Sequence, residues 1–181
     1  MRTTLLVCTF CLANVSAFVI SDDKPADGVG VLKYGDGMPD GVQSLGGNGE
    51  MIRFEAPAGT KISQIKIHGS RYGLPAAPKE DFLIYFLSAD EQKVLSTQMA
   101  PYSLFDHGEE KKWVTVNFKE PVEVPTKFWV VLDFRANQRK GVYVSYDTST
   151  EGKNSRRGLP GVKSTETKNK ADWLIEAVVA K

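Results

Sequence analysis

Two apolar runs decide the fold class of this chain: Phe82-Leu83-Ile84-Tyr85-Phe86-Leu87 and Phe128-Trp129-Val130-Val131-Leu132. Both runs are short and rich in aromatic and aliphatic residues, which is typical of β-strands rather than helices. Successive side chains of a strand point to opposite faces of its sheet, so an unbroken apolar run is apolar on both faces. We therefore expect each run to be a strand that lies centrally in its sheet or has its outer face covered by a loop.

Similar short runs continue along most of the chain, separated by glycine, proline and aspartate. Proline cannot donate to a β-ladder, so Pro57, Pro75 and Pro121 mark breaks between strands. This pattern, without any sustained helical periodicity, predicts an all-β protein: a jelly-roll or Greek-key β-sandwich of about eight strands with little helix. The predicted strands are Met51–Glu55, Lys61–His68, Phe82–Ser88, Val94–Gln98, Lys112–Lys119, Lys127–Arg135, Lys140–Tyr146 and Asp172–Val179.

The N-terminal residues 1–17 have the composition of a secretory signal peptide. Arg2 supplies a positive charge, residues 5–13 form an apolar core, and the small residues Val15 and Ala17 occupy the positions that signal peptidase reads. A membrane-spanning helix needs about 20 apolar residues, and polar residues from Asn14 onward interrupt this run too early. We predict cleavage after Ala17 and a secreted or periplasmic protein that has no membrane contact after cleavage.

Both cysteines, Cys8 and Cys11, lie within this segment. Val7 and Phe10 precede them and are too large for a lipoprotein cleavage site, so no lipid anchor is expected. Once the segment is removed no thiol remains, which excludes disulfides, thiolate metal sites and a cysteine nucleophile. The mature domain must therefore be stabilised by its own apolar core.

The remaining chain divides by composition into two parts. Residues 18–49 are rich in glycine and aspartate and predict an N-terminal leader and loop, with one short strand near residues 29–34. Residues 50–181 carry the strand pattern of the sandwich domain. The chain has 23 Lys and Arg against 22 Asp and Glu, a formal net charge of +1. Because the charges balance and no basic stripe is present, we expect no nucleic-acid partner.

A dense polar segment, His68-Gly69-Ser70-Arg71-Tyr72-Gly73, follows the second predicted strand. Its imidazole, guanidinium and phenol groups suit hydrogen bonding and stacking at a concave site on a loop. The alternative is structural: Arg71 pairs with a carboxylate such as Asp81 or Asp133, and Tyr72 covers the sandwich edge.

Asp133 interrupts an otherwise apolar run. A buried carboxylate without a partner is costly, so we expect it to be paired with Arg71, with His68 or with an N–H group of a loop. A structural role is favoured over a catalytic one, because structural ion pairs account for most such carboxylates.

Tyr143 and Ser145 share one face of the predicted strand 140–146, and Arg156 follows in the chain. Phenol rings beside a guanidinium could form a platform that stacks on the apolar face of a sugar. The alternative is ordinary cross-strand packing, with the tyrosines capping the sheet edge. The predicted ligand-binding residues are His68, Arg71, Tyr72, Asp133, Tyr143, Ser145 and Arg156.

The segment Asp36-Gly37-Met38-Pro39-Asp40-Gly41 places two carboxylates in a glycine-rich loop, which could contribute to a Ca²⁺ site. It lacks the ligand spacing of an EF-hand, and two Asp-Gly turns account for the same residues. Zinc needs three or four ligands, and two separated histidines without cysteine offer too few. We expect no metal and no cofactor, with Ca²⁺ as the open alternative.

Catalytic motifs are absent from the sequence. There is no Gly-x-Ser-x-Gly elbow for a serine nucleophile, and His107 lies in a polar turn. The two carboxylates of a glycoside hydrolase need not be near each other in sequence, so an enzyme that acts on envelope polymers stays open as an alternative. That alternative requires two carboxylates facing each other across a cleft.

Several longer motifs, spread over residues 40 to 179, are characteristic as a set. They include Ser44-Leu45-Gly46-Gly47, Arg53-Phe54-Glu55-Ala56-Pro57, Ile67-His68-Gly69-Ser70-Arg71-Tyr72-Gly73, Lys140-Gly141-Val142-Tyr143-Val144-Ser145, Gly158-Leu159-Pro160-Gly161 and Asp172-Trp173. With them, the chain resembles a β-sandwich module of secreted and membrane-tethered bacterial proteins, especially large multidomain proteins of planctomycete type. The resemblance implies a sandwich fold and an accessory role in binding or positioning, and it implies no particular activity.

We therefore predict a secreted, non-catalytic binding or interaction module whose partner is a glycan or another envelope protein. One alternative is the envelope-polymer hydrolase, which would cleave glycosidic or peptide bonds. The other is a purely structural envelope protein, in which residues 68–73 would be buried and satisfied by internal hydrogen bonds.

Overall fold

A computed structural model describes residues 30–181, so the predicted signal peptide and the first part of the leader lie outside the described residues. No helix in this part of the chain is long and apolar enough to cross a membrane. It contains thirteen β-strands and one 3₁₀ turn, Tyr102–Leu104. The strands are β1 Val31–Leu32, β2 Gly41–Gln43, β3 Glu50–Glu55, β4 Lys61–Gly73, β5 Asp81–Ser88, β6 Val94–Pro101, β7 Lys112–Glu123, β8 Lys127–Asp133, β9 Lys140–Asp147, β10 Ser155–Arg157, β11 Thr165–Glu166, β12 Asp172–Trp173 and β13 Ile175–Val179.

The strands form two antiparallel sheets, and the predicted all-β sandwich is confirmed. The first sheet has the order β1-β13-β4-β9-β12, with β7 also paired to β4 and β2 also paired to β9. The second sheet has the order β11-β10-β3-β8-β5-β6. The chain passes repeatedly from one sheet to the other, as consecutive strands do in a Greek-key or jelly-roll sandwich.

The prediction of about eight strands is too low. Strand β1 lies within the short strand predicted near residues 29–34, whereas β2, β10 and β11 have only two or three residues, too few to show an apolar period. The predicted strand at 172–179 is divided because its neighbour changes at Leu174. The N–H of Leu174 donates to the carbonyl of Ser145, whereas its carbonyl accepts from the N–H of His68.

The core between the sheets combines aliphatic side chains with a connected group of aromatic rings. Phe82 packs against Phe134 with ring centroids 4.8 Å apart, and Phe86 packs against Phe128 at 6.2 Å. Each of these four side chains is buried, and full burial of a phenylalanine contributes about 1.5–3 kcal/mol to stability. Among the described residues no cysteine contributes to the core, so apolar burial is the main source of stability.

Strand β8 is apolar on both faces, as its sequence predicts. It lies between β3 and β5 in the second sheet. Phe128, Val130 and Leu132 join the main core, while Trp129 and Val131 form a smaller cluster on the outer face. Met51 and Leu87 belong to the same cluster, and the partly buried Tyr85 and Leu159 pack against it. Leu159 follows β10, so a loop covers this outer face.

The polar segment 68–73, predicted to be a loop, is instead the second half of β4. The pairing of β4 with β13 ends at Ile67, and from Gly69 onward β9 is its neighbour, with Ser70 opposite Tyr143. At Gly69 a Cβ atom would collide with the carbonyl oxygen of Tyr143. This glycine therefore permits a close approach of two strands rather than a turn.

Residues assigned to the leader and loop also take part in the sandwich. Strand β1 pairs with β13, and β2 pairs with β9. Leu32, Tyr34 and Leu45 are buried in the main core. The sandwich therefore begins N-terminal to residue 50, because short strands at the sheet edges complete the burial of apolar side chains.

Candidate functional site

The seven predicted ligand-binding residues lie in three places. Ile65 and Ile67 of β4 and Val142 and Val144 of β9 point into the core, so alternate residues of these strands point outward. On that outer face of the first sheet lie His68, Tyr72, Tyr143 and Ser145. Arg71 is on the inner face of the same sheet, and the second sheet carries Asp133 and Arg156.

His68 and Ser145 form a buried contact at the centre of the outer face. The Nδ1 atom of His68 lies 2.9 Å from the Oγ atom of Ser145, and both residues are buried. Burial lowers the pKa of His68 because desolvation disfavours the imidazolium form. A neutral imidazole is therefore held in place by one hydroxyl group.

Two tyrosines lie next to this pair. The rings of Tyr72 and Tyr143 have centroids 4.6 Å apart and an interplanar angle of 35°. The hydroxyl of Tyr72 lies 3.2 Å from the hydroxyl of Ser44, and the Nζ atom of Lys111 lies 6.0 Å from the Tyr143 ring. Gly141 is directly opposite Tyr72, and a Cβ atom there would overlap the Tyr72 ring. The tyrosine is thus held flat on the sheet.

Trp113 completes this surface, although it was not among the residues predicted to bind a ligand. It lies on β7 directly opposite His68, with its ring centroid 5.2 Å from the imidazole. The Nζ atom of Lys66 is 5.5 Å from the indole ring. The alternation of this strand contained the relevant information: Val114 points inward, so a large aromatic residue at 113 must point outward.

We call the surface formed by Trp113, His68, Tyr72 and Tyr143 the aromatic face. Trp113 is 37% exposed and Tyr143 is 38% exposed, although both are large apolar side chains. Trp113 lies on β7 opposite His68, and Tyr143 lies on β9 opposite Ser70. The two rings therefore lie on either side of β4 and are offset by two residues along it. With strands about 4.8 Å apart and about 3.3 Å per residue, their Cα atoms are roughly 12 Å apart.

Arg71 has a structural environment. Its Nη1 atom donates to the carbonyl of Leu74 at 2.8 Å, and Nη2 donates to the carbonyl of Pro75. The guanidinium therefore binds the chain that follows β4 rather than Asp81 or Asp133. Its Nε atom is buried without a hydrogen-bond partner. Within the segment 68–73, Tyr72 is half-buried and Gly73 is exposed.

Asp133 ends strand β8 on the second sheet. Its Oδ1 atom accepts a hydrogen bond of 2.9 Å from the N–H of Arg135, which is the loop N–H partner among the three that we expected. Arg135 adopts a left-handed conformation with φ of 43°. The carboxylate thus stabilises the turn that leaves the strand, and it is not part of the aromatic face.

Arg156 lies on β10, and the structure does not bring it beside Tyr143, because β10 and β9 belong to different sheets. Its Nη1 atom donates to Oε1 of Glu91 at 2.8 Å and to Oγ of Ser164 at 3.1 Å. Its guanidinium carbon lies 5.2 Å from the centroid of the Trp129 ring. Arg156 therefore belongs to a separate polar site.

The carboxylates of the glycine-rich loop accept hydrogen bonds from protein groups. Oδ1 of Asp36 accepts from the N–H of Met38 at 2.7 Å. Oδ2 of Asp40 accepts from the N–H and the hydroxyl of Thr148, which lowers the pKa of Asp40. Within residues 30–181 no group of three or more histidine, cysteine or acidic residues is arranged to hold a metal ion.

Two further carboxylates, Asp147 and Asp172, face each other across β9 and β12, and both are buried. Asp147 accepts from the N–H groups of Ser149 and Gly37. Asp172 accepts from the N–H of Asn154, and burial raises its pKa. These hydrogen bonds fasten chain segments to the sheet edge, and the carboxylates do not line an open cleft.

No known protein family model matches the chain, and no curated protein matches it. Two features of the described residues bear on function: the open aromatic face on the first sheet and the polar site around Arg156 on the second.

Proposed function

We propose that this protein is a secreted, non-catalytic binding module that holds a glycan on its aromatic face. The observation that carries the proposal is the exposure of Trp113 and Tyr143 on one open face of the first sheet. Covering the apolar surface of a large aromatic side chain that would otherwise face water is favourable. A sugar ring has an apolar face that can cover such a ring, and hydroxyl groups that still need polar partners.

The rigidity of the aromatic face supports this role. Tyr72 contacts Tyr143, and His68 contacts both Trp113 and Ser145. Side chains that are already ordered lose little conformational entropy when a ligand binds. Strands β4, β7 and β9 carry these residues, so their backbone positions are fixed by the sheet.

The separation of the two exposed rings favours a sugar chain over a single sugar. Trp113 and Tyr143 are roughly 12 Å apart at their Cα atoms, which is longer than one pyranose ring. A ligand that covers both rings therefore contains several linked sugars. The predicted signal peptide agrees with this ligand class, because glycans of that kind lie outside the cytoplasm.

Binding to polysaccharides tests the proposal. The secreted protein is titrated with soluble polysaccharides and incubated with insoluble ones, including peptidoglycan. Calorimetry reports binding for every variant, and tryptophan fluorescence reports it where Trp113 is kept. We expect Trp113→Ala and Tyr143→Ala each to weaken binding by about tenfold or more, since tenfold corresponds to about 1.4 kcal/mol. Met99→Ala is the matched control, because Met99 is an exposed apolar residue on β6 of the other sheet.

Absence of binding to every polysaccharide at millimolar sugar concentration would overturn the glycan proposal. Binding that is unchanged in both Trp113→Ala and Tyr143→Ala would place the glycan elsewhere on the molecule.

A hydrolase is the second candidate, and the contact between His68 and Ser145 favours it, because a base next to a hydroxyl is the start of a nucleophilic site. Ser145 is fully buried, however, and a nucleophile must reach its substrate. A fluorophosphonate probe tests this candidate. Covalent labelling of Ser145 that is lost in Ser145→Ala would support a hydrolase, and absence of labelling would count against a serine nucleophile.

A further inference from the structure

A concave site lies on the other sheet. Its cavity has a volume of about 460 Å³, which falls within the range of small-molecule sites. One wall is the turn between β5 and β6, and the other is formed by β10 and the loop that follows it. The cavity is lined by Asp90, Glu91, Gln92, Arg156, Gly161, Val162, Lys163 and Ser164. We call it the Arg156 cavity.

Two of the four charges at this cavity are paired across it, because Nη1 of Arg156 lies 2.8 Å from Oε1 of Glu91. The β5–β6 turn contributes the acidic residues Asp90 and Glu91, and the opposite wall contributes the basic residues Arg156 and Lys163. The sum of the four formal charges is zero. Outside that ion pair, Asp90 and Lys163 leave one charge of each sign on opposite walls, which a dipolar ligand could match.

Arg156 is fixed in place and retains donors for a ligand. Its Nη1 atom uses both N–H groups on Glu91 and Ser164, and the guanidinium lies over the Trp129 ring. A guanidinium has five N–H donors, so those of Nε and Nη2 stay available. Planar guanidinium groups with a free edge are well suited to a carboxylate.

The acidic wall is similarly ordered. Oδ1 of Asp90 accepts from the hydroxyl of Ser88 and the N–H of Gln92, which leaves Oδ2 to accept from a ligand. Glu91 adopts a left-handed conformation with φ of 64°, which is unfavourable for a glutamate. Its carboxylate contact with Arg156 offsets that cost and holds the acidic group at the cavity.

We propose that the Arg156 cavity binds a small zwitterion, either a free α-amino acid or a short peptide with both ends uncapped. The ammonium group lies against Asp90 and Glu91, and the carboxylate lies against the free edge of Arg156 with Lys163 beside it. The proposal is independent of the aromatic face, because the two sites are on different sheets.

The test uses calorimetry or ¹H–¹⁵N NMR titration of the secreted protein with alanine, alanylalanine, N-acetylalanine and alaninamide. We expect the uncapped compounds to bind and each capped compound to bind at least about tenfold more weakly, since each lacks one charged contact of about 1.4 kcal/mol or more. Alanine and alanylalanine distinguish a free amino acid from a short peptide. Equal binding of N-acetylalanine, or no binding by either uncapped compound at millimolar concentration, would overturn the proposal.

Variants locate the ligand. Arg156→Lys keeps the charge but removes the guanidinium edge, and Asp90→Asn removes the acceptor charge, so both should weaken alanylalanine binding by about tenfold or more. Glu91→Gly should also weaken binding. This variant should still fold, because glycine adopts the left-handed conformation of residue 91 without steric cost. Arg157→Gln is the matched control, because Arg157 is the half-buried neighbour on β10 that contacts Thr165 and does not line the cavity.

Thermal unfolding of each variant shows whether it is folded. Trp113→Ala should leave alanylalanine binding unchanged, so failure of this proposal and failure of the glycan proposal are separate results. Unchanged binding in both Arg156→Lys and Asp90→Asn would overturn the assignment of the cavity.

Discussion

The Nδ1 atom of His68 lies 2.9 Å from the Oγ atom of Ser145, and this contact joins two strands at the centre of the aromatic face. The residues are 77 positions apart in the chain. Because both are buried while their neighbours Trp113 and Tyr143 are exposed, the pair forms the floor of the surface rather than part of its rim. This position makes the protonation of His68 important for stability.

The stability of the protein should fall at mildly acidic pH because of His68. Burial lowers its pKa in the folded state below its ordinary value, so at pH values below about 6.5 the unfolded state binds more protons than the folded state. Stability contributed by the neutral imidazole is therefore present above that pH and is lost as the pH falls. Urea unfolding between pH 5 and 7.5 should show this loss, and His68→Gln should reduce it.

His107→Gln is the control for this experiment, because His107 is exposed. A pH dependence that is the same in His68→Gln and in the unmodified protein would show that His68 is not its source.

The opposite dependence is expected from Glu50. Its carboxyl group is buried and accepts a hydrogen bond of 3.0 Å from the N–H of Leu45, and burial raises its pKa to about 8. Between the ordinary pKa near 4.5 and this value the folded state holds a proton that the unfolded state has lost. Stability should therefore fall as the pH rises through this window, by up to about 1.4 kcal/mol per pH unit.

Glu50→Gln isolates this contribution, since the amide oxygen can still accept from Leu45. Its free energy of unfolding should exceed that of the unmodified protein by an amount that grows from pH 5 to pH 8 and then levels off. Glu166→Gln changes an exposed glutamate and should give no such growth. A constant difference across the range would contradict the buried, protonated state of Glu50.

Gly141 should be required for the shape of the aromatic face. A Cβ atom at this position would overlap the Tyr72 ring, so Gly141→Ala should displace Tyr72 and destabilise the protein by about 1–3 kcal/mol. Glycan binding should weaken although Trp113 and Tyr143 are unchanged. Gly46→Ala is the control, because a Cβ atom there would meet the Ala136 carbonyl oxygen at an ordinary 3.6 Å. Urea unfolding and polysaccharide titration measure both effects, and equal stability of the two variants would contradict the overlap.

Arg71 should contribute to stability through backbone carbonyls rather than through an ion pair. Its guanidinium donates to the carbonyls of Leu74 and Pro75, so Arg71→Met should lower the free energy of unfolding by about 1–3 kcal/mol. Asp81→Asn should have little effect, because Asp81 is not a partner of Arg71. Chemical denaturation checks both variants. A larger loss in Asp81→Asn than in Arg71→Met would reverse this assignment.

Much of the sandwich was predictable, because the order of apolar and polar residues along a strand shows which of its faces are buried. Phe128 to Leu132 is apolar at every position, and β8 is indeed covered on both faces. The same reasoning failed for residues 68–73, where glycines and polar side chains suggested a loop. These residues continue β4 because β9, some 70 positions later in the chain, supplies the next set of hydrogen-bonding partners. Nothing local to the segment encodes that pairing.

For the candidate-site residues on predicted strands, the sequence by itself determined which residues share a face, because side chains alternate with a period of two. It placed Tyr143 with Ser145, and the outward position of Trp113 was contained in its alternation with Val114. Only the tertiary structure decided which strands are neighbours. In it, Trp113 lies opposite His68 and completes the aromatic face, whereas Arg156 lies on the other sheet. Contacts between distant strands depend on sheet order and register, which arise from the packing of the whole core.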